Sequence, residues 1–243
     1  MTDGRSAGLT SAASVRRATA IGAVLVAVGV GVFGVLLDAV REGDDIARID
    51  EPVLAWLVAH RGQGANALFS GLATVFGPVV LPLLVAVGCL AWALVSRERW
   101  RPALLVGSMA ASALLSTVLK VIIARPRPPI ASMLVPGGET TPSFPSGHTI
   151  GAATLFLVAG YLVASRRPTP ARVVGWSIAA ALGVLVVGLS RLYLGYHFAT
   201  DVLAAVALAV AVLGIAAIVD QRHRSAASTR QCPRADSNCQ PTD

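Results

Sequence analysis

Charge is scarce in this chain. Only 14% of its 243 residues are Asp, Glu, Lys or Arg, against roughly 25% in a soluble domain. Lysine is nearly missing: Lys120 stands alone beside 19 arginines. Cysteine is rare as well. Three cysteines do not make a disulfide framework. Cys89 falls inside an apolar run, and Cys232 and Cys239 lie in a polar tail expected on the cytoplasmic side, where thiols stay reduced. Internal repeats are absent, and so is any linker between separately folded units.

Apolar residues fill the place of charge. The chain is 55% hydrophobic with mean hydropathy +0.69. Runs of about 20 apolar residues mark membrane spans. Six are read here: Ala18–Leu37, Val75–Val95, Pro102–Ala124, Thr149–Ala164, Val173–Leu189 and Val202–Val219. Asn66–Thr74 can extend the second as helix, which would put Pro78 and Pro82 inside it as kinks. A cleaved signal peptide is the rival reading of the first run. Its length and the spans that follow favour an uncleaved helix. Glu51–His60 is mildly amphipathic, either a helix flat on the outer interface or a plain loop segment.

The arginines set an orientation. Arg16 and Arg17 precede the first span; Arg97, Arg99 and Arg101 separate the second and third. Arg166, Arg167 and Arg172 separate the fourth and fifth, and Arg222 and Arg224 follow the sixth. These alternate connections share one side, and arginine-rich connections are cytoplasmic. The first outer connection holds Asp38, Glu42, Asp44, Asp45, Asp50 and Glu51 against Arg41, Arg48 and Arg61. So the net charge of +7 and the pI near 10.3 reflect membrane-flanking arginines and give no case for nucleic acid.

Three outer segments carry chemistry. The first is Lys120-Val-Ile-Ile-Ala-Arg125-Pro-Arg127-Pro128. Snorkelling cations at a helix end would explain it, but three cations on the outer side run against the charge bias, and a bound phosphate would compensate them. The second is Pro145-Ser146-Gly147-His148, read as a helix N-terminus. Free amides there suit an oxyanion, Gly147 admits close approach, Ser146 adds a hydroxyl and His148 can move a proton. The third is Ser190-Arg191 followed by His197 and Asp201. On a helix the last two share a face, so the carboxylate can hold the ring's tautomer and free its other nitrogen. A helix cap with a surface ion pair is the plainer alternative. Together the segments supply cations, a hydroxyl, two histidines and one carboxylate, an inventory suited to phosphoryl transfer without a metal. Asp201 and Glu139 are the only acids near them, so no metal ligand set and no cofactor is expected.

The ordered triple resembles the type-2 phosphatidic acid phosphatases (PAP2), in the superfamily shared with vanadium haloperoxidases. Their signature is K-x6-R-P, P-S-G-H and S-R-x5-H-x3-D. It is met here by Lys120…Arg127-Pro128, by Pro145-Ser146-Gly147-His148 and by Ser190-Arg191…His197…Asp201. The likeness covers roughly residues 100–218 and departs in a second Arg-Pro step, Arg125-Pro126, and in an unmatched C-terminal tail. It implies an all-α polytopic bundle of six transmembrane helices. With it the chain divides into two spans with an outer connection over 18–98 and the phosphatase core over 99–219, flanked by a cytoplasmic N-terminus over 1–17 and a cytoplasmic tail over 220–243 that are expected to be disordered because they are polar and lack apolar periodicity. It further implies His197 as nucleophile, Asp201 as its partner, His148 as the acid on the leaving oxygen, and Lys120, Arg127, Ser146, Gly147 and Arg191 around the phosphate. The substrate would be a membrane lipid phosphate met at the outer face. Undecaprenyl diphosphate leads, because composition points to a bacterium with a GC-rich genome. Phosphatidic acid, diacylglycerol pyrophosphate and phosphatidylglycerol phosphate follow. A haloperoxidase would use the same cradle but is soluble in the relatives, and a lipid carrier would not need the histidines. Oligomeric state is not legible.

Overall fold

The computed structural model describes residues 3–43, 46–166 and 169–231. Among these residues it is all-helical: α1 Asp3–Glu42, α2 Asp50–Ala59, α3 Gln63–Val75, α4 Val80–Ser96, α5 Trp100–Ile123, α6 Gly147–Ala164, α7 Pro170–Tyr193 and α8 Ala199–Gln231. Short 3-10 turns stand at Ala47–Ile49 and Ile130–Ser132. Five helices are long and apolar enough to cross a membrane; α3 and α4, bent by 55° at their junction, are apolar enough together to count as a sixth span or to form a re-entrant pair. The chain is a multi-pass membrane protein.

Two expectations need correcting. The segments 3–17 and 220–231, expected to be disordered, are helical continuations of α1 and α8. Extending an existing helix avoids the cost of nucleation, and no proline interrupts either segment. Residues 1–2 and 232–243 lie outside the described residues. The helix offered over Asn66–Thr74 forms as part of α3, but its junction with α4 is broken and not merely kinked. Gly77 and Pro78 fall in the break. Pro82 sits in the first turn of α4, where its missing N–H would have had no helical partner anyway. Glu51–His60 is helical as α2, one of the two readings offered for it.

Helices α6 and α8 are central. Half of the apolar window of each is buried, against 17% in α1 and α5. Outer helices turn Leu94, Val95, Leu114 and Leu185 outward, as a lipid-facing surface requires. The longest interface joins α1 to α8 through small residues. A Cβ on Gly29 would come within 2.5 Å of Ala207 O, and one on Gly214 within 2.5 Å of Gly22 O, so both positions depend on glycine.

This layout puts the C-terminal ends of α5 and α7 and the N-terminal ends of α6 and α8 at one end of the bundle. The signature segments therefore meet there, although the first and last are separated by seventy residues of chain. The opposite end gathers Glu98, Arg101, Arg166, Asp220 and Arg224.

Candidate active site

Helix α5 stops at Ala124, which takes a left-handed conformation (φ 51°). The prolines that follow prevent further helix. Lys120, one turn earlier, is thereby aimed at the loop above, where Nζ donates to the carbonyls of Pro142 and Ser143. Arg127 Nε donates to Thr141 O (2.6 Å), and its Nη1 donates to Tyr196 O (2.8 Å) and stands 3.4 Å from His197 Nε2. Gly147 opens α6, and its amide is free of helical partners. Ser146, just before it, is fully buried; its N–H donates to Asp201 O (3.1 Å) and its Oγ accepts from Thr149 Oγ1 (3.0 Å). His148 lies against the break between α3 and α4, with Nε2 3.6 Å from where a Cβ on Gly77 would stand.

His197 lies in the tight connection between α7 and α8 and is 1% exposed. Its Nδ1 is 3.2 Å from Asp201 Oδ2, and that oxygen also accepts from Phe198 N (3.0 Å). Burial first, then Arg191, Arg127 and Lys120, push the His197 imidazole well below its ordinary range. The ring is therefore neutral at neutral pH. Donating Nδ1–H to Asp201 leaves the Nε2 lone pair facing Arg127. Gly195, two residues earlier, has φ +76°, and a Cβ there would run into Ser132 O, so the turn that aims His197 needs glycine.

Glu139 fills the space in front of His197. Its carboxylate pairs with Arg191 and with Arg127 (2.7 Å) and lies 3.9 Å from His197 Nε2. Burial pushes its carboxyl upward, but the guanidinium charges, Arg191 first and then Arg127, outweigh burial and hold it below the usual range. Arg191 is 1% exposed, and its Nε is a buried donor with no partner. Among the described residues no three His, Cys, Asp or Glu side chains gather as metal ligands.

A cavity of about 900 Å³ opens from this cluster between α4, α5 and α6. Lys120, Arg127, Glu139, Gly147, His148 and His197 line its polar end; Leu81, Val85, Val106, Met109 and Val121 line the rest. Five of the eight expected site residues, Lys120, Arg127, Gly147, His148 and His197, thus line the cavity, and Arg191 meets it through Glu139. Ser146 and Asp201 lie behind it, bonded to the wall. Sequence reasoning missed Asp50 and Thr200, and it read Arg125 only as one of the cations that a phosphate would compensate, whereas Arg125 bonds Asp50, Thr200 and Asp201. Asp50 is 2% exposed and accepts from Thr200 N (2.9 Å) and Arg125 Nη2 (2.8 Å). It is one of six acids in its connection, and no spacing sets it apart.

The model of the PAP2 superfamily matches residues 101–225, more than half of the chain. The chain belongs to the PAP2 superfamily. It is 33% identical over 174 residues to phosphatidylglycerophosphatase B of Bacillus subtilis (strain 168), covering 70% of this chain and 83% of that one. The crystal structure of a transmembrane PAP2 type phosphatidylglycerolphosphate phosphatase from Bacillus subtilis superposes with a TM-score of 0.71 at 28% identity, over 80% of this chain and 96% of that one. Aquifex aeolicus LpxE shares the fold at TM-score 0.53 and 22% identity, over 70% of this chain and 95% of that one. This PAP2 protein is a membrane phosphatase, a phosphoric ester hydrolase.

Proposed function

We propose that this protein removes the terminal phosphate of a membrane lipid by way of a phosphohistidine at His197. The observation that carries this reading is the placement of Glu139. An anionic group already sits between Arg127 and Arg191, 3.9 Å from an imidazole nitrogen. A phosphate displacing it would offer more oxygens to the same cations and would give Arg191 Nε a partner. Lys120 and the Gly147 amide flank the same space, and Ser146 supports its wall.

In the first step the His197 Nε2 lone pair forms the N–P bond as the P–O bond to the lipid breaks. His148 gives its proton to the leaving oxygen, and Asp201 balances the positive ring. In the second step water attacks phosphorus, His148 takes the water proton, the N–P bond breaks, and phosphate leaves with His197 neutral again. Dividing one displacement into two is covalent catalysis.

The apolar part of the cavity supports a substrate whose tail stays in the bilayer. The names of the Bacillus subtilis relatives move phosphatidylglycerol phosphate ahead of undecaprenyl diphosphate. The latter stays as the second reading because the cavity is lined for hydrocarbon without dictating two chains. Phosphate release from each lipid in matched detergent decides the order. Loss of release in His197→Ala, with activity intact in EDTA, is expected. An active His197→Ala protein, or activity lost in EDTA and restored by magnesium, overturns the mechanism.

The arginine pattern supports an outward-facing site with both termini cytoplasmic. In a background without cysteine, Ala131→Cys should react with an impermeant maleimide in intact cells, and Thr169→Cys only after lysis. Ala131 is chosen because it is exposed, whereas a Cβ on nearby Gly138 would stand 3.1 Å from Tyr196 Oη.

A further inference from the structure

The second Arg-Pro step, Arg125-Pro126, lies outside the three-part signature, yet the partly buried Arg125 is bonded to the catalytic pair's carboxylate. Arg125 and Arg127 each precede a proline, which keeps both out of the helical region. In an extended proline-rich run with about three residues per turn, side chains two apart face different ways. Arg127 accordingly faces the cavity, and Arg125 passes behind it. Arg125 Nη1 donates to Asp201 Oδ1 (2.5 Å) and to Thr200 Oγ1 (2.7 Å), and Nη2 donates to Asp50 Oδ2 (2.8 Å). Its guanidinium lies over the Phe198 ring at 4.5 Å. Thr200 completes the set, giving its hydroxyl proton to Asp50 Oδ2 (2.6 Å) and its amide to Asp50 Oδ1 (2.9 Å). Asp50 thus tethers the first turn of α8 from a different helix.

We propose that Arg125 is a positioning residue, clamped between Asp50 and Asp201, that fixes the orientation and effective charge of the carboxylate behind the nucleophile, with Asp50 as its anchor. The proposal rests on the reading of His197 as nucleophile. Asp201 Oδ1 is held by Arg125, so Oδ2 is left to face His197 Nδ1 at 3.2 Å. The two carboxylates and one guanidinium carry a net charge of one unit, negative. That is the charge a phosphorylated, positive imidazole needs beside it. Without Arg125, two carboxylates would pull on the ring proton and hold His197 in its charged, non-nucleophilic form. Without Asp50, Arg125 would draw on Asp201 alone and weaken its support of the positive ring. The other charged groups around His197 are Arg191 from α7, Lys120 from the end of α5, Arg127 from the loop that follows it, and Glu139 from the loop before α6. All remain in place in these variants.

The test is the pH dependence of kcat and of KM for lipid phosphate hydrolysis by the full chain in detergent. It compares wild type with Arg125→Gln, Arg125→Lys, Asp50→Asn and Thr200→Val, with His197→Ala as control. Arg125→Gln should lower kcat on the order of tenfold to a hundredfold, the cost of a misaligned reacting group, with KM changed by less than about twofold. Its acid limb of kcat/KM should move to higher pH, because the neutral ring is lost sooner as pH falls. Asp50→Asn should lower kcat with the limb unmoved or at lower pH. Arg125→Lys, which keeps the charge, should leave the limb in place and recover part of kcat. Thr200→Val removes one hydroxyl and no charge; should Arg125→Gln not fold, it carries the test together with Arg125→Lys by lowering kcat with the limb fixed. An unmoved limb in Arg125→Gln, a loss confined to KM, or Lys no better than Gln overturns the proposal. An active His197→Ala control would instead overturn the nucleophile reading on which it rests.

Discussion

Helix α8 carries a buried aspartate near each end of the bundle, and the two are surrounded differently. Asp220, at the end away from the site, accepts from Trp100 Nε1 (3.0 Å), Tyr161 Oη (3.0 Å) and Arg224 Nη2 (2.5 Å). Arg224 also donates to Ser165 Oγ (3.0 Å), Arg101 donates to Leu162 O (3.1 Å), and the Trp100 ring stacks on His223 at 3.7 Å. There the donors are consumed by fixed partners on α5, α6 and α8, and the result is a fastening between helices. At the other end Asp201 is as deeply buried, but its histidine faces a cavity. Two of the arginines around that cavity are paired by a carboxylate on a loop, and one arginine donor has no partner at all. The same residue types make a latch where every partner is fixed, and a site where one partner is exchangeable.

Substitutions at matching positions can break this comparison. The largest contrast is His197→Ala against Asp220→Asn. The first should abolish phosphate release by several orders of magnitude, as loss of a nucleophile does. The second should keep activity within a fewfold while lowering stability by about 1–3 kcal/mol, the cost of leaving buried donors poorly satisfied. Turnover and thermal unfolding measured on one preparation separate the two. Next come the arginines: Arg191→Ala should lower kcat/KM on the order of a hundredfold, comparable to losing one transition-state contact, whereas Arg224→Ala should change it little. Equal losses would mean that the far end also tunes the site.

The smallest effect sharpens the idea of an exchangeable partner. Glu139→Gln removes the negative charge that competes with phosphate for Arg127 and Arg191. KM should fall by a few fold, with orthovanadate inhibiting at correspondingly lower concentration, since about 1 kcal/mol of competing interaction is a factor near five. A raised KM would show instead that Glu139 holds the arginines in place for the substrate.

Much of the site was legible because its residues sit at fixed spacing on single elements. His197 stands just before α8 and not on it, as the shared helix face had required, yet the short step into the helix still brings it to Asp201; Gly147 with His148 need only a helix N-terminus. Arg191 was legible as a cation six residues before His197 in the same motif. Asp50 was not, because its partners Thr200 and Arg125 lie far along the chain and nothing in its own neighbourhood marks it. Glu139 was visible as an acid near the motifs, but its position between two arginines follows from how the loop over 129–146 folds back. The break between α3 and α4 was half legible: Pro78 announced a disturbance, and whether it would bend or interrupt the span depended on packing around Gly77.

The sequence by itself determined the membrane class, the helical fold and the family, because hydrophobic run length, arginine placement and motif spacing are properties of the linear chain. It also determined which side chains could do phosphate chemistry. Tertiary structure alone decided which carboxylate serves which arginine, that a loop acid stands where an anion is wanted, and that the cavity opens between α4, α5 and α6. The physical reason is that pairing between buried charges depends on distances across helices that sequence separation does not encode. A hydrophobic span, by contrast, is fixed by the bilayer one segment at a time.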